Sequence, residues 1–194
     1  MLGTIFQWIS KLLSLLKPSS GQDTSLEPSP SLPNSSDKND STNKPRKISR
    51  WFSYKEATHS NTAVARGIDN TPSLEMMKVI SSTALQMDKV RDFLGHPILI
   101  NSWYRNPEVN RAVGGSSTSD HMSGKSVDFR CPAFGSPYEI CKALKDSGIP
   151  FDQLIFETNS KGSQWVHIGW GDRMRGEVLT YTPSKGYRKG LWLS

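Results

Sequence analysis

The sequence predicts an α+β fold, a small antiparallel sheet with flanking helices, and three observations lead there. Strand-like and helix-like segments follow one another in mixed order, without the βαβα rhythm of a parallel sheet. Two strand-like runs, DQLIFE and WVHIGW, are separated only by TNSKGSQ, a polar, Gly-containing loop that suits a hairpin. Nearly all the aromatic residues fall after residue 50, so one folded domain follows an N-terminal stretch of different character.

That stretch has two parts. In MLGTIFQWISKLLSLLK, residues Leu2, Ile5, Phe6, Ile9, Leu12, Leu13 and Leu16 recur at helical spacing, with Thr4, Gln7, Ser10, Lys11, Ser14 and Lys17 on the other face. A membrane-spanning helix needs roughly 20 continuous apolar residues, and this one is shorter and interrupted. Its lysines lie within and after the apolar run, and no small-residue cleavage site follows, unlike a signal peptide. An amphipathic helix lying in a membrane surface fits residues 1–17 best, which makes the protein membrane-associated or envelope-facing. Docking on the protein's own body or on a partner is the first alternative, and an atypical signal segment the second. Residues 18–50 are rich in Pro, Ser, Asn and Asp and end in the basic run KPRKISR. Such a composition cannot bury enough apolar area to offset its ordering entropy, so it reads as a disordered tether.

Within residues 51–194, Thr71-Pro72 opens a helical pattern. Leu74, Met77, Ile80, Ala84, Leu85, Met87, Val90 and Leu94 form its apolar stripe, up to Gly95. PILINSW reads as a buried strand after Pro97. A short helix runs from Pro107 to Val113, and another from about Pro137 to Ser147, stopped by Gly148 and Pro150. SVDFRC alternates like a strand entry. Cys131 and Cys141, the two cysteines, form no disulfide framework and match no zinc knuckle.

The net charge of +6 favours anionic surroundings: nucleic acid, an acidic membrane or cell-wall polymers. Nucleic acid is the poorest fit, because the Lys and Arg residues are scattered rather than interleaved with aromatics on one face. The chemistry concentrates in SSTSDHMSGKSVDFRC. His121 stands in its loop and Asp128 in its strand, with Gly124 letting the chain fold back between them. A loop histidine and a strand carboxylate converging on one point are plausible metal ligands, and they equally describe a hydrogen-bonded loop. A catalytic zinc site takes three protein ligands and keeps one position open. His59, His96 and His167 are the candidates for the third, and His167 stands mid-strand in WVHIGW.

Four blocks in this order, SxYR, SxHxxGxxxD, QLIxE and WVH, resemble the zinc D-Ala-D-Ala carboxypeptidase family of murein peptidases. That family shares its fold with the Hedgehog signalling domain, and many members are phage endolysins. The resemblance spans about Phe52 to Trp170. It implies a single zinc ion held by His121, Asp128 and His167. It further implies Arg105 as the cation that steadies an oxyanion or the substrate, and Ser119 as a contact to a substrate carboxylate or carbonyl. The implied activity is zinc-dependent hydrolysis of peptidoglycan stem peptides containing D-amino acids, by a D,D-carboxypeptidase or endopeptidase, in wall lysis or remodelling.

Two positions depart from the family pattern. Trp103 stands where Gly is usual, which would narrow the groove or alter the strand bend. Gln164 stands three residues before the last histidine, where some members carry the catalytic acid, and an amide cannot take a proton. Glu157 of QLIFE is the replacement base. Paired across the hairpin with Trp165, it would share a face with His167 and lie diagonal to it, roughly 7–8 Å away between Cα atoms. A one-residue slip would turn it to the wrong face and bring Asp120 or Asp172 forward instead. Without a competent base, the same ligands would make a metal-stabilised module that binds wall peptides without cutting them.

Overall fold

A computed structural model describes residues 46–193, so the proposed helix and the expected tether as far as residue 45 lie outside the described residues. The last part of that expected tether, 46–50, instead packs on the domain: Ser49 Oγ donates to Asp88 Oδ1 at 2.9 Å, and Ile48 lies against the core. Two short helices, α1 (Tyr54–Thr58) and α2 (Asn61–Arg66), lead into the long α3 (Leu74–Leu94). Then come β1 (Leu99–Ser102), α4 (Pro107–Ala112), β2 (Ser126–Arg130) and α5 (Pro137–Lys145). Four strands follow: β3 (Gln153–Thr158), β4 (Gln164–Gly169), β5 (Glu177–Thr182) and β6 (Gly186–Lys189). They form one six-stranded sheet in the order β1-β2-β4-β3-β5-β6. All its pairings are antiparallel except that of β3 with β5. The class is α+β, as the sequence predicts.

Local signals account for the helix ends. Ser73 caps α3 by accepting from the Met76 N–H, and Gly95 closes it in the left-handed conformation (φ +67°). Asn106 caps α4, and Ser136 with Glu139 forms a capping box on α5. The predicted stripe of α3 is partly right. Ile80, Ala84, Met87, Val90 and Leu94 are buried, whereas Leu74 and Leu85 are exposed and Thr83 is buried in their stead.

One face of the sheet makes the core. Val127, Phe129, Leu154, Phe156, Val166 and Ile168 form a single buried cluster with Ile80, Ala84, Met87 and Val90 of α3 and Ile140, Cys141 and Leu144 of α5. Because strand side chains alternate, Asp128, His167 and Glu157 occupy the opposite face. Both cysteines are free and buried.

The expected buried strand PILINSW is instead an edge strand. β1 pairs only with β2, its ladder is broken between Ile100 and Ser102, and Leu99 is 51% exposed. The apolar run is explained by its two ends, Ile98 and Trp103, which enter the core. Trp103 therefore lies in the core and does not narrow a groove. Its indole packs edge-on against Phe52, with ring centroids 5.8 Å apart.

Candidate metal centre

His121, Asp128 and His167 converge. His167 Nδ1 lies 2.8 Å from Asp128 Oδ1, His121 Nε2 lies 3.2 Å from the same oxygen, and the two histidine nitrogens are 3.3 Å apart. Metal bonds of about 2.0–2.1 Å place tetrahedral ligand atoms roughly 3.3 Å from one another, close to these separations. His59 and His96 are exposed and take no part.

The strands and one loop bring the three together. Asp128 on β2 is the direct cross-strand partner of His167 on β4, so their side chains emerge side by side. His121 comes from the loop before β2, which Trp103 holds at two points. The Trp103 carbonyl accepts from His121 Nδ1 at 2.7 Å, and its indole N–H donates to the Gly124 carbonyl at 3.1 Å. Gly124 has φ +70°, and a Cβ there would fall 2.7 Å from Ile80 Cγ1, so the loop needs glycine at this point.

The proton positions argue for a cation. A carbonyl only accepts, so His121 Nδ1 carries the hydrogen and Nε2 presents its lone pair. Burial further holds His121 below its ordinary pKa, in the neutral form that a metal requires. That lone pair faces the Asp128 carboxylate at 3.2 Å. Two electron-pair donors so placed repel unless positive charge lies between them. Burial alone would raise the Asp128 pKa, but the two neighbouring imidazoles outweigh it, with the His167 Nδ1–H donating to Oδ1, and hold the carboxyl below its ordinary range. For His167, burial opposes protonation, and the hydrogen bond and charge of Asp128 overcome it, raising its pKa. The donor set therefore fits a divalent metal such as zinc, with carboxylate and imidazole as ligands.

Arg105 Nη2 donates to Asp128 Oδ2 at 3.1 Å, with both side chains largely buried. Its Nε is buried without a partner among the described residues, leaving a donor available beside the ligand cluster. Ser119 accepts from the His121 N–H at 3.4 Å, so its oxygen shapes the metal loop and its own hydrogen remains free to donate.

Residues 50–169 match the peptidase M15 family. The chain belongs to that family. A comparison with curated proteins finds no match. M15 peptidases are zinc metallopeptidases, and the residues that the sequence resemblance nominates as ligands in this M15 chain are the three that cluster.

Glu157 pairs with Trp165 across the β3–β4 hairpin, in the register that puts it on the metal face, diagonal to His167. Burial pushes its carboxyl up to about 7, with His167 and Arg105 acting to lower it and the negative charge of Asp128 to raise it. The alternative acids point elsewhere. Asp172 is exposed and pairs with Lys125, and the Asp120 carboxylate lies near Asp152, around Gly171.

Tyr187 is a further residue on this face. It continues the row Trp165–Glu157–Tyr181 onto β6, with its ring centroid 4.7 Å from that of Tyr181. It is 61% exposed, and partial burial with the charge of Glu157 pushes its pKa up to about 12. Its strand lies beyond the resemblance, and nothing in GYRK alone marks it.

Proposed function

We propose that this M15 peptidase hydrolyses amide bonds in peptidoglycan stem peptides containing D-amino acids, as a D,D-carboxypeptidase or a murein endopeptidase. One observation carries the reading: three ligand atoms converge on the sheet face that also presents the Glu157 carboxyl.

His121, Asp128 and His167 would hold the zinc, with Trp103 fixing the His121 ring through Nδ1. When bound, zinc supplies Lewis acidity, polarising a carbonyl and lowering the pKa of a water toward about 7. Glu157 takes a proton from the attacking water and returns it to the leaving amine nitrogen. Arg105 keeps Asp128 in place through Nη2 and offers its unpartnered Nε–H to the oxygen on which negative charge develops. Ser119 donates its free hydroxyl hydrogen to a substrate carbonyl or carboxylate. The presence of Glu157 on the metal face weighs against a module that binds wall peptides without cutting them.

The setting we propose is wall lysis or remodelling close to a membrane, with residues 1–17 as anchor and residues 18–45 as tether. Digestion of purified peptidoglycan, with products identified by mass, tests the activity. Soluble stem-peptide fragments should appear, vanish with a chelator and return with zinc. Unchanged peptidoglycan with zinc-loaded protein would refute the reading, and the product masses identify the bond cut.

A further inference from the structure

We propose a second binding site, for an oxyanion, in a cleft of about 410 Å³ between the β3–β4 hairpin turn and the β5–β6 turn. The cleft has the size of a small-ligand site. Thr158, Asn159, Thr182, Ser184, Lys185 and Arg188 give it its chemistry, and no carboxylate lines it among the described residues.

Two of the residues that line it each carry a buried side-chain atom with no hydrogen-bond partner among the described residues: Thr158 Oγ1 and Arg188 Nε. Thr158 is only 8% exposed, and such groups in folded proteins are ordinarily paired. Both can donate. The Asn159 side-chain carbonyl is occupied by the Lys161 and Ser163 N–H groups, which leaves its amide hydrogens to point elsewhere. Arg188 lies over the Trp192 ring, with its guanidinium carbon 5.7 Å from the centroid. Lys185 adds a second cation at the exposed mouth. Unmet donors, two positive charges and no acid describe a receptor for a carboxylate or phosphate oxygen. They reject a metal ion, and they disfavour an apolar ligand that would leave the donors unmet.

The cleft is separate from the metal centre. Thr158, Thr182 and Arg188 carry their side chains on the face opposite Glu157, Tyr181 and Tyr187, by strand alternation. It therefore adds an anchoring point for an anionic polymer instead of a second catalytic group. The binding does not depend on the peptidase reading; only the naming of wall polymers as its source does.

Amide NMR of the full-length chain, titrated with inorganic phosphate at constant ionic strength, tests the site. Saturable shifts should centre on Thr158, Lys185 and Arg188. Arg188→Gln should weaken binding about tenfold, as loss of a charge-assisted hydrogen bond would. Lys185→Gln, on an exposed turn where the fold is not at risk, should weaken it several-fold. A parallel titration with acetate distinguishes the source: equal affinity points to carboxylates, and preference for phosphate points to phosphodiesters. Non-saturating drift, unaltered affinity in both variants, or shifts centred on His121 and His167 would each overturn the proposal.

Discussion

Glu157 and Trp165 face each other across the β3–β4 hairpin, and this one pairing decides where the carboxylate goes. A slip of one residue would have flipped the strand, turning Glu157 into the core and Phe156 out to the metal face, and removed the only acid in β3 from the metal side. In the observed register it lies diagonal to His167, which in turn pairs directly with Asp128.

Replacing Glu157 with Gln should leave zinc content and fold intact and lower turnover on peptidoglycan by about 10²–10⁴-fold, the usual worth of acid–base help. Gln164→Glu should do no comparable harm, because β4 residue 164 pairs with Thr158 and its side chain alternates away from the face carrying His167 and Trp165. Steady-state rates of both variants check this. A Glu157→Gln enzyme at wild-type rates would rule out Glu157 as the base.

The same residue makes a stability prediction with a defined sign. The Glu157 pKa rises from 4.5 in the unfolded reference to about 7 in the metal-free fold. The folded state thus binds the proton more tightly, and stability falls as pH rises through that window, by at most about 1.4 kcal/mol per unit from this group. Metal-free Glu157→Gln should therefore resist urea better than metal-free wild type above pH 7 and match it near pH 4. Parallel urea midpoints across that range would contradict the burial of this carboxyl.

Trp103 should prove structural and not a groove residue. Trp103→Phe keeps the ring in the core but leaves the Gly124 carbonyl without its indole donor. The expected loss is about 1–3 kcal/mol of stability. Zinc affinity should fall as well, because the loop that carries His121 loosens. Denaturant unfolding and a zinc competition titration measure the two effects separately.

For residues 1–17, deletion should abolish co-sedimentation with anionic liposomes while hydrolysis of soluble peptidoglycan fragments continues. If residues 18–45 act as the proposed tether, a flexible chain of roughly 30 residues would span on the order of 30 Å, enough to lift the domain off a bilayer surface. Equal sedimentation of the truncated and full-length chains would assign the apolar helical stripe to a protein partner instead.

Much of the site is legible in the sequence because strand alternation has a period of two. Once WVHIGW is a strand, His167 must share a face with Trp165, and the hairpin partner Glu157 follows. The loop glycine Gly124 likewise marks the turn that returns the chain from His121 to Asp128. What escapes is what depends on distant pairing. PILINSW has the composition of a buried strand, yet it lies at the sheet edge because, among the described residues, no strand pairs beyond β1. β5, EVLTYT, has a strand-forming composition, but β6, GYRK, is short and polar enough to pass for loop, so Tyr187 and the cleft around Arg188 have no local signature. The same holds for the side chain of Arg175, whose bonds to the buried Asp152 and to Glu177 pin the segment between β4 and β5.

The most direct test of the account is the zinc content of the purified chain, measured by elemental analysis beside His121→Ala. The wild type should hold one zinc per chain, and the variant should lose most of it, since a single imidazole and a carboxylate make a weak site. Full zinc occupancy in His121→Ala would contradict the assignment of His121, Asp128 and His167 as the metal centre.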